Sequence, residues 1–154
     1  MRGRSIVAIL LVLATTACST YRREFDANPP FASHYYRNFD VEVAWQAERT
    51  GQDVRLSGAV TNRRYAYLRD LELTARVVDE KGNVLARGKI HEFPTYIPSG
   101  KAAPFRMNLS LPGGTTPARL RFNYTYLLAE EPPAARGYSG YEHVPHFGNF
   151  DAPL

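Results

Sequence analysis

Leu71-Glu72-Leu73-Thr74-Ala75-Arg76-Val77-Val78, with the turn Asp79-Glu80-Lys81-Gly82 and the run Val84 to Ile90 behind it, is the stretch whose reading decides the fold. Leu71, Leu73, Ala75 and Val77 alternate with Glu72, Thr74 and Arg76. Side chains on a strand point to opposite faces in turn, so this period of two puts one set in a core and the other in water. Asp79-Glu80-Lys81-Gly82 suits a short hairpin in which Gly82 takes a positive φ. After it, Val84, Ala86 and Ile90 alternate with Leu85, Arg87 and Lys89.

The same period extends on both sides. Phe39, Val41, Val43 and Trp45 share one face against Asp40, Glu42 and Gln46, and Val54, Leu56 and Val60 oppose Arg55, Ser57 and Thr61. Phe105, Met107, Leu109 and Leu111 alternate with Arg106, Asn108 and Ser110; Leu120, Phe122, Tyr124 and Tyr126 alternate with Arg119, Arg121, Asn123 and Thr125. Turns are expected at Thr50-Gly51-Gln52, Pro98-Ser99-Gly100 and Pro112-Gly113-Gly114. No amphipathic helix follows residue 17. Six runs, each with one polar face, predict an all-β, immunoglobulin-like antiparallel sandwich of six or seven strands over 39–128, the seventh strand in 31–38 or 92–97. Over twenty inward apolar residues, at ~1.5–3 kcal/mol each, offset chain entropy without a disulfide. Asn62, inward at the end of its run, is expected to hydrogen-bond local backbone. Gly58, in mid-run, is expected to mark a bulge or a close backbone approach.

Gly58-Ala59-Val60-Thr61-Asn62, the run Leu71 to Asp79, Lys81-Gly82-Asn83-Val84, and Pro98-Ser99-Gly100 with Phe105 resemble the FxLYD-type domain of exported prokaryotic proteins. The resemblance covers 50–128. Ala75, Val77 and Val78 stand where that family's name has Phe, Leu and Tyr, while Asp79 matches. It implies an immunoglobulin- or fibronectin-like sandwich in an exported protein, with no catalytic residues.

Residues 1–17 read as an export signal. Arg2 and Arg4 precede the nine apolar residues Ile6 to Ala14, about half the ~20 needed to span a bilayer, and Thr15-Thr16-Ala17 leads to Cys18. Cys18 is the single cysteine, so no internal disulfide explains it. Its place resembles the lipobox of bacterial lipoproteins, with Thr15 where that motif usually has Leu. The resemblance implies acylation of Cys18 and a membrane anchor, and Ser19 resembles outer-membrane sorting facing the periplasm. Residues 18–38, with Asn28-Pro29-Pro30, then read as a tether.

The chain carries 19 basic and 15 acidic residues, and 17 basic without the leader. That balance gives no reason to invoke nucleic acid. Neither a nucleophile elbow nor a phosphate-binding glycine loop occurs, so no enzyme and no cofactor is expected. His143 and His146 form a His-x-x-His pair without the further ligands a metal site needs. Binding residues are expected in the Thr61–Asp70 connection, with Arg63, Arg64, Tyr65, Tyr67 and Arg69. The Pro- and Gly-rich tail 129–154, expected to be irregular, adds Tyr138, Tyr141, Phe147 and Phe150. Four large aromatics are costly to leave in water, so they dock on this domain or on a partner. The reading is therefore a membrane-anchored, non-catalytic module that binds an envelope protein or serves envelope assembly. The alternative is a periplasmic metal- or small-ligand-binding lipoprotein that uses the tail histidines.

Overall fold

The computed structural model describes residues 32–129 and 145–154. Among the described residues nine strands form two antiparallel sheets: β1 (His34–Arg37), β2 (Val41–Thr50), β3 (Asp53–Asn62), β4 (Tyr67–Val78), β5 (Val84–Ile90), β6 (Tyr96–Ile97), β7 (Ala102–Ser110), β8 (Arg119–Ala129) and β9 (His146–Pro153). The first sheet has the order β1-β2-β3-β7. The second has the order β5-β4-β8-β9, with β6 paired to the start of β4. Both segments that were candidates for a seventh strand pair, as β1 and β6.

The alternation read from the sequence is the alternation of burial. Leu71, Leu73, Ala75 and Val77 of β4 pack with Leu120, Phe122 and Tyr124 of β8, against Val41, Val43, Trp45, Val54, Leu56 and Val60 of the first sheet. Gly82 has φ 87°, and its N–H donates to the Asp79 carbonyl at 3.1 Å, closing the hairpin. Gly58 marks a close approach. A Cβ there would lie 2.2 Å from the Ala44 carbonyl oxygen and 2.8 Å from the Phe105 ring.

Three expectations change. Phe39 is not inward; it is 79% exposed at the tip of the β1–β2 turn. Asn38 builds that turn, its Oδ1 accepting from the N–H groups of Asp40 (2.9 Å) and Val41 (2.7 Å), which throws Phe39 outward. Val84 is also exposed, because the β4–β5 register slips between Val77 and Val78 and breaks the alternation at the hairpin. The third concerns the tail, whose last part is a regular strand. β9 pairs with β8 from Tyr126↔His146 to Arg119↔Pro153 without a break. Gly148 there is a socket rather than a loop residue: a Cβ would meet the Tyr124 hydroxyl at 2.1 Å. The sandwich thus extends past 39–128 on both sides, to β1 and β9.

Candidate interaction surface

The surface is built at one end of the sandwich, where β1 and β3 finish and β2, β4 and β9 begin. Asn62 ends β3 with its side chain fully buried and all its polar atoms used. Nδ2 donates to the carbonyls of Ala66 (2.7 Å) and Ile97 (2.8 Å), and Oδ1 accepts from the Arg64 N–H (2.8 Å). This is the backbone-holding role expected of it, and it shapes the 63–66 connection.

That connection presents the arginines and tyrosines unequally. Tyr65 is fully exposed. Arg64 Nε lies 3.1 Å from Asp40 Oδ1, and its guanidinium sits 4.9 Å from the centre of the Phe39 ring. Arg63 reaches Glu42 only at 3.8 Å. Tyr67 is half-buried edge-on against Tyr96, and Arg69 pairs with the neighbouring Asp70, so these two serve the strand. Asp70 itself has φ 51°, at the bulge where the β4–β8 register shifts. Beneath the exposed groups, Asp40 accepts the Tyr126 hydroxyl as well as Arg64, and Tyr126 stacks on His146 at 5.3 Å. Burial first, and then the Asp40 hydrogen bond, hold the Tyr126 phenol far above its ordinary pKa. The pedestal is hydrogen-bonded and neutral on its phenol, and the exposed pair Phe39 and Tyr65 stands on it with Arg63 and Arg64.

The tail aromatics part company. Phe150 is in the core, stacked on Tyr36 (3.8 Å) and Phe122 (4.9 Å), and takes no part in the end surface. Phe147 is 79% exposed on the outer face of β9. Cys18, Tyr138, Tyr141 and His143 lie outside the described residues. Among the described residues no group of three or more His, Cys, Asp or Glu could hold a metal ion. Sequence reasoning put Asp40 on the polar face but missed its pairing with Arg64 and Tyr126, and missed Phe39 as a surface group, although Asn38 two residues before Asp40 is the signal of a side-chain-capped turn.

At the β1–β9 edge the sheets part around a groove of about 530 Å³, lined by His34, Tyr36, Arg37, Trp45, Phe150 and Asp151 among others. His34 stacks on Trp45 at 5.4 Å, and the buried Trp45 Nε1 has no hydrogen-bond partner among the described residues.

No family model matches the chain, and no curated protein matches it. Among solved structures it is similar to part of a beta-glucuronidase from glycoside hydrolase family 2. That match has 16% identity and a TM-score of 0.38, and covers 75% of this chain and 11% of the glucuronidase. An Arabidopsis thaliana protein solved in solution is similar at 13% identity and a TM-score of 0.32, over 87% of this chain and 90% of that one. The chain thus spans about a tenth of the glucuronidase's length. Likenesses this distant carry no argument about activity.

Proposed function

We propose that this chain is a bacterial lipoprotein anchored through acyl groups on Cys18, and that its sandwich is a non-catalytic module binding a protein of the cell envelope. The observation that carries the binding reading is the end surface. Two large aromatics, Phe39 and Tyr65, stand exposed beside Arg63 and Arg64 on a hydrogen-bonded base. Aromatic residues and arginine supply most of the binding energy where proteins meet, and a rigid base lowers the entropy lost on docking. The leader, the single cysteine and the resemblance to exported FxLYD-type domains support the compartment. Ser19 supports the outer membrane, facing the periplasm.

Two measurements test this reading. Metabolic labelling with a palmitate analogue should mark the wild type and not Cys18→Ala; equal labelling excludes the anchor. A photo-crosslinking residue at position 65 should capture one envelope protein in cells, and Phe39→Ala with Arg63→Ala should reduce capture at least tenfold without moving the melting temperature. Undiminished capture refutes this surface. A second reading, a small acceptor-bearing ligand in the β1–β9 groove, is favoured by the unpartnered Trp45 Nε1. Trp45 is the single tryptophan, so its emission reports such a ligand directly.

A further inference from the structure

The outer face of the second sheet collects cations that lie far apart in the sequence. Across it, Arg87 of β5 stands directly opposite Arg76 of β4, Arg76 directly opposite Arg121 of β8, and Arg121 directly opposite Asp151 of β9. Neighbouring strands are about 4.8 Å apart, so three guanidinium-bearing positions fall within roughly 10 Å on one line. Arg119 and Lys89 flank the line.

The local carboxylates do not balance this row. Asp151 is shared by Arg121, which bonds both its oxygens at 2.7 and 3.0 Å, and Arg119 at 3.0 Å. Glu72 is taken by Lys89 at 2.9 Å. Arg76 has the amide oxygen of Asn123, and no carboxylate among the described residues contacts the exposed Arg87. Like charges placed directly opposite one another on a sheet destabilise it, so this register is held by the buried opposite face and not by the arginines themselves. The whole chain is close to charge balance, with 19 basic and 15 acidic residues, whereas the row and the side chains flanking it set five cations against two carboxylates. Phe147 projects from the same face, 79% exposed.

We infer that the outer face of the β5-β4-β8-β9 sheet docks on an anionic membrane surface, its arginine row meeting lipid phosphates and Phe147 entering the headgroup region. A planar phosphate layer suits a planar row of guanidinium groups, and an aromatic side chain is at home at the lipid–water boundary. The choice of a membrane over a soluble polyanion rests on the lipid-anchor reading of Cys18. An anchored domain meets the surface at high effective concentration, so modest affinity is enough.

The test uses the full chain carrying Cys18→Ala, so that no acyl group contributes. Binding is measured by flotation with phosphatidylcholine vesicles and with vesicles in which roughly a third of the lipid is phosphatidylglycerol. Each cation near such a surface is worth about fivefold in binding, so Arg76→Gln/Arg87→Gln/Arg119→Gln should cut the preference for anionic vesicles by roughly a hundredfold. The triple variant keeps the Arg121–Asp151 pair; relief of like-charge repulsion offsets the loss of the exposed Arg119–Asp151 and Arg76–Asn123 contacts, so its melting temperature should stay close to that of the wild type. Arg87→Gln alone breaks no ion pair and should lose about fivefold. An anionic preference that survives both sets of substitutions overturns the proposal. So does arginine-dependent binding of polyphosphate by a chain that ignores anionic vesicles, which identifies a soluble polyanion instead. Failure of the anchor itself appears only in the Cys18→Ala labelling experiment, so the two readings fail separately.

Discussion

Replacing Asn62 with alanine removes three hydrogen bonds at once from the junction that carries the candidate surface. The Ile97 carbonyl, bonded at 2.8 Å, belongs to a residue 2% exposed, where water does not replace the lost amide. Leaving that acceptor bare costs about 1–3 kcal/mol. Ala66 and Arg64 are half-buried, so water compensates part of the loss at their backbone groups, and each contributes about 0.5–1.5 kcal/mol. The total is about 2–6 kcal/mol, a large share of the ~5–15 kcal/mol that stabilises an ordinary domain. Asn62→Asp is the sharper probe. It keeps an acceptor for the Arg64 N–H but turns a carboxylate oxygen toward two carbonyl oxygens that now receive a donor, so it should destabilise at least as much as alanine. Urea unfolding followed by tryptophan emission measures both variants, the midpoint falling with an unchanged slope. A loss under about 1 kcal/mol for Asn62→Ala would refute the reasoning, as would an aspartate variant more stable than the alanine one.

The remaining predictions concern β9 and the phenols. Gly148→Val places carbon where the Tyr124 hydroxyl and ring edge lie, 2.1 and 2.3 Å from the new Cβ, and should cost about 1–3 kcal/mol in the same urea experiment. Wild-type stability in that variant would show that β9 does not pair in this register. Burial, and then the Glu42 hydrogen bond, push the Tyr35 phenol up to about 12, and burial first also raises Tyr124 and Tyr126. A phenol raised on folding contributes stability that is complete below the unfolded pKa of about 10 and is lost as pH rises through the folded value. The urea midpoint should therefore hold from pH 8 toward 10 and fall beyond it, and Tyr126→Phe should flatten that fall. A midpoint unchanged from pH 8 to 12 would contradict the burial of these hydroxyls.

Much of the fold is legible in the chain because an antiparallel sandwich writes its inner face as alternate residues. Leu71 to Val77 and Leu120 to Tyr126 need no knowledge of their partners to show which side is inward. Gly82 and Asn62 are legible for a similar reason, since a positive φ and a strand-end amide act on backbone a few residues away. Phe39 misled because its period matched the strand, whereas Asn38 had already turned the chain. β9 was hidden by Gly148 and Pro153. Its inward series His146, Gly148, Phe150, Ala152 reads as a strand only once the Tyr124 ring fills the glycine's missing side chain. The candidate surfaces lie further from the sequence still. Arg63, Arg64 and Tyr65 are adjacent in the chain and could be named, but their setting depends on Phe39 and Asp40 from another hairpin. The row Arg87, Arg76 and Arg121 exists only through the register of β5 on β4 and of β4 on β8. Composition counts charges without placing them. Their placement comes from hydrogen-bonded pairing between distant segments, which burial of the opposite face selects.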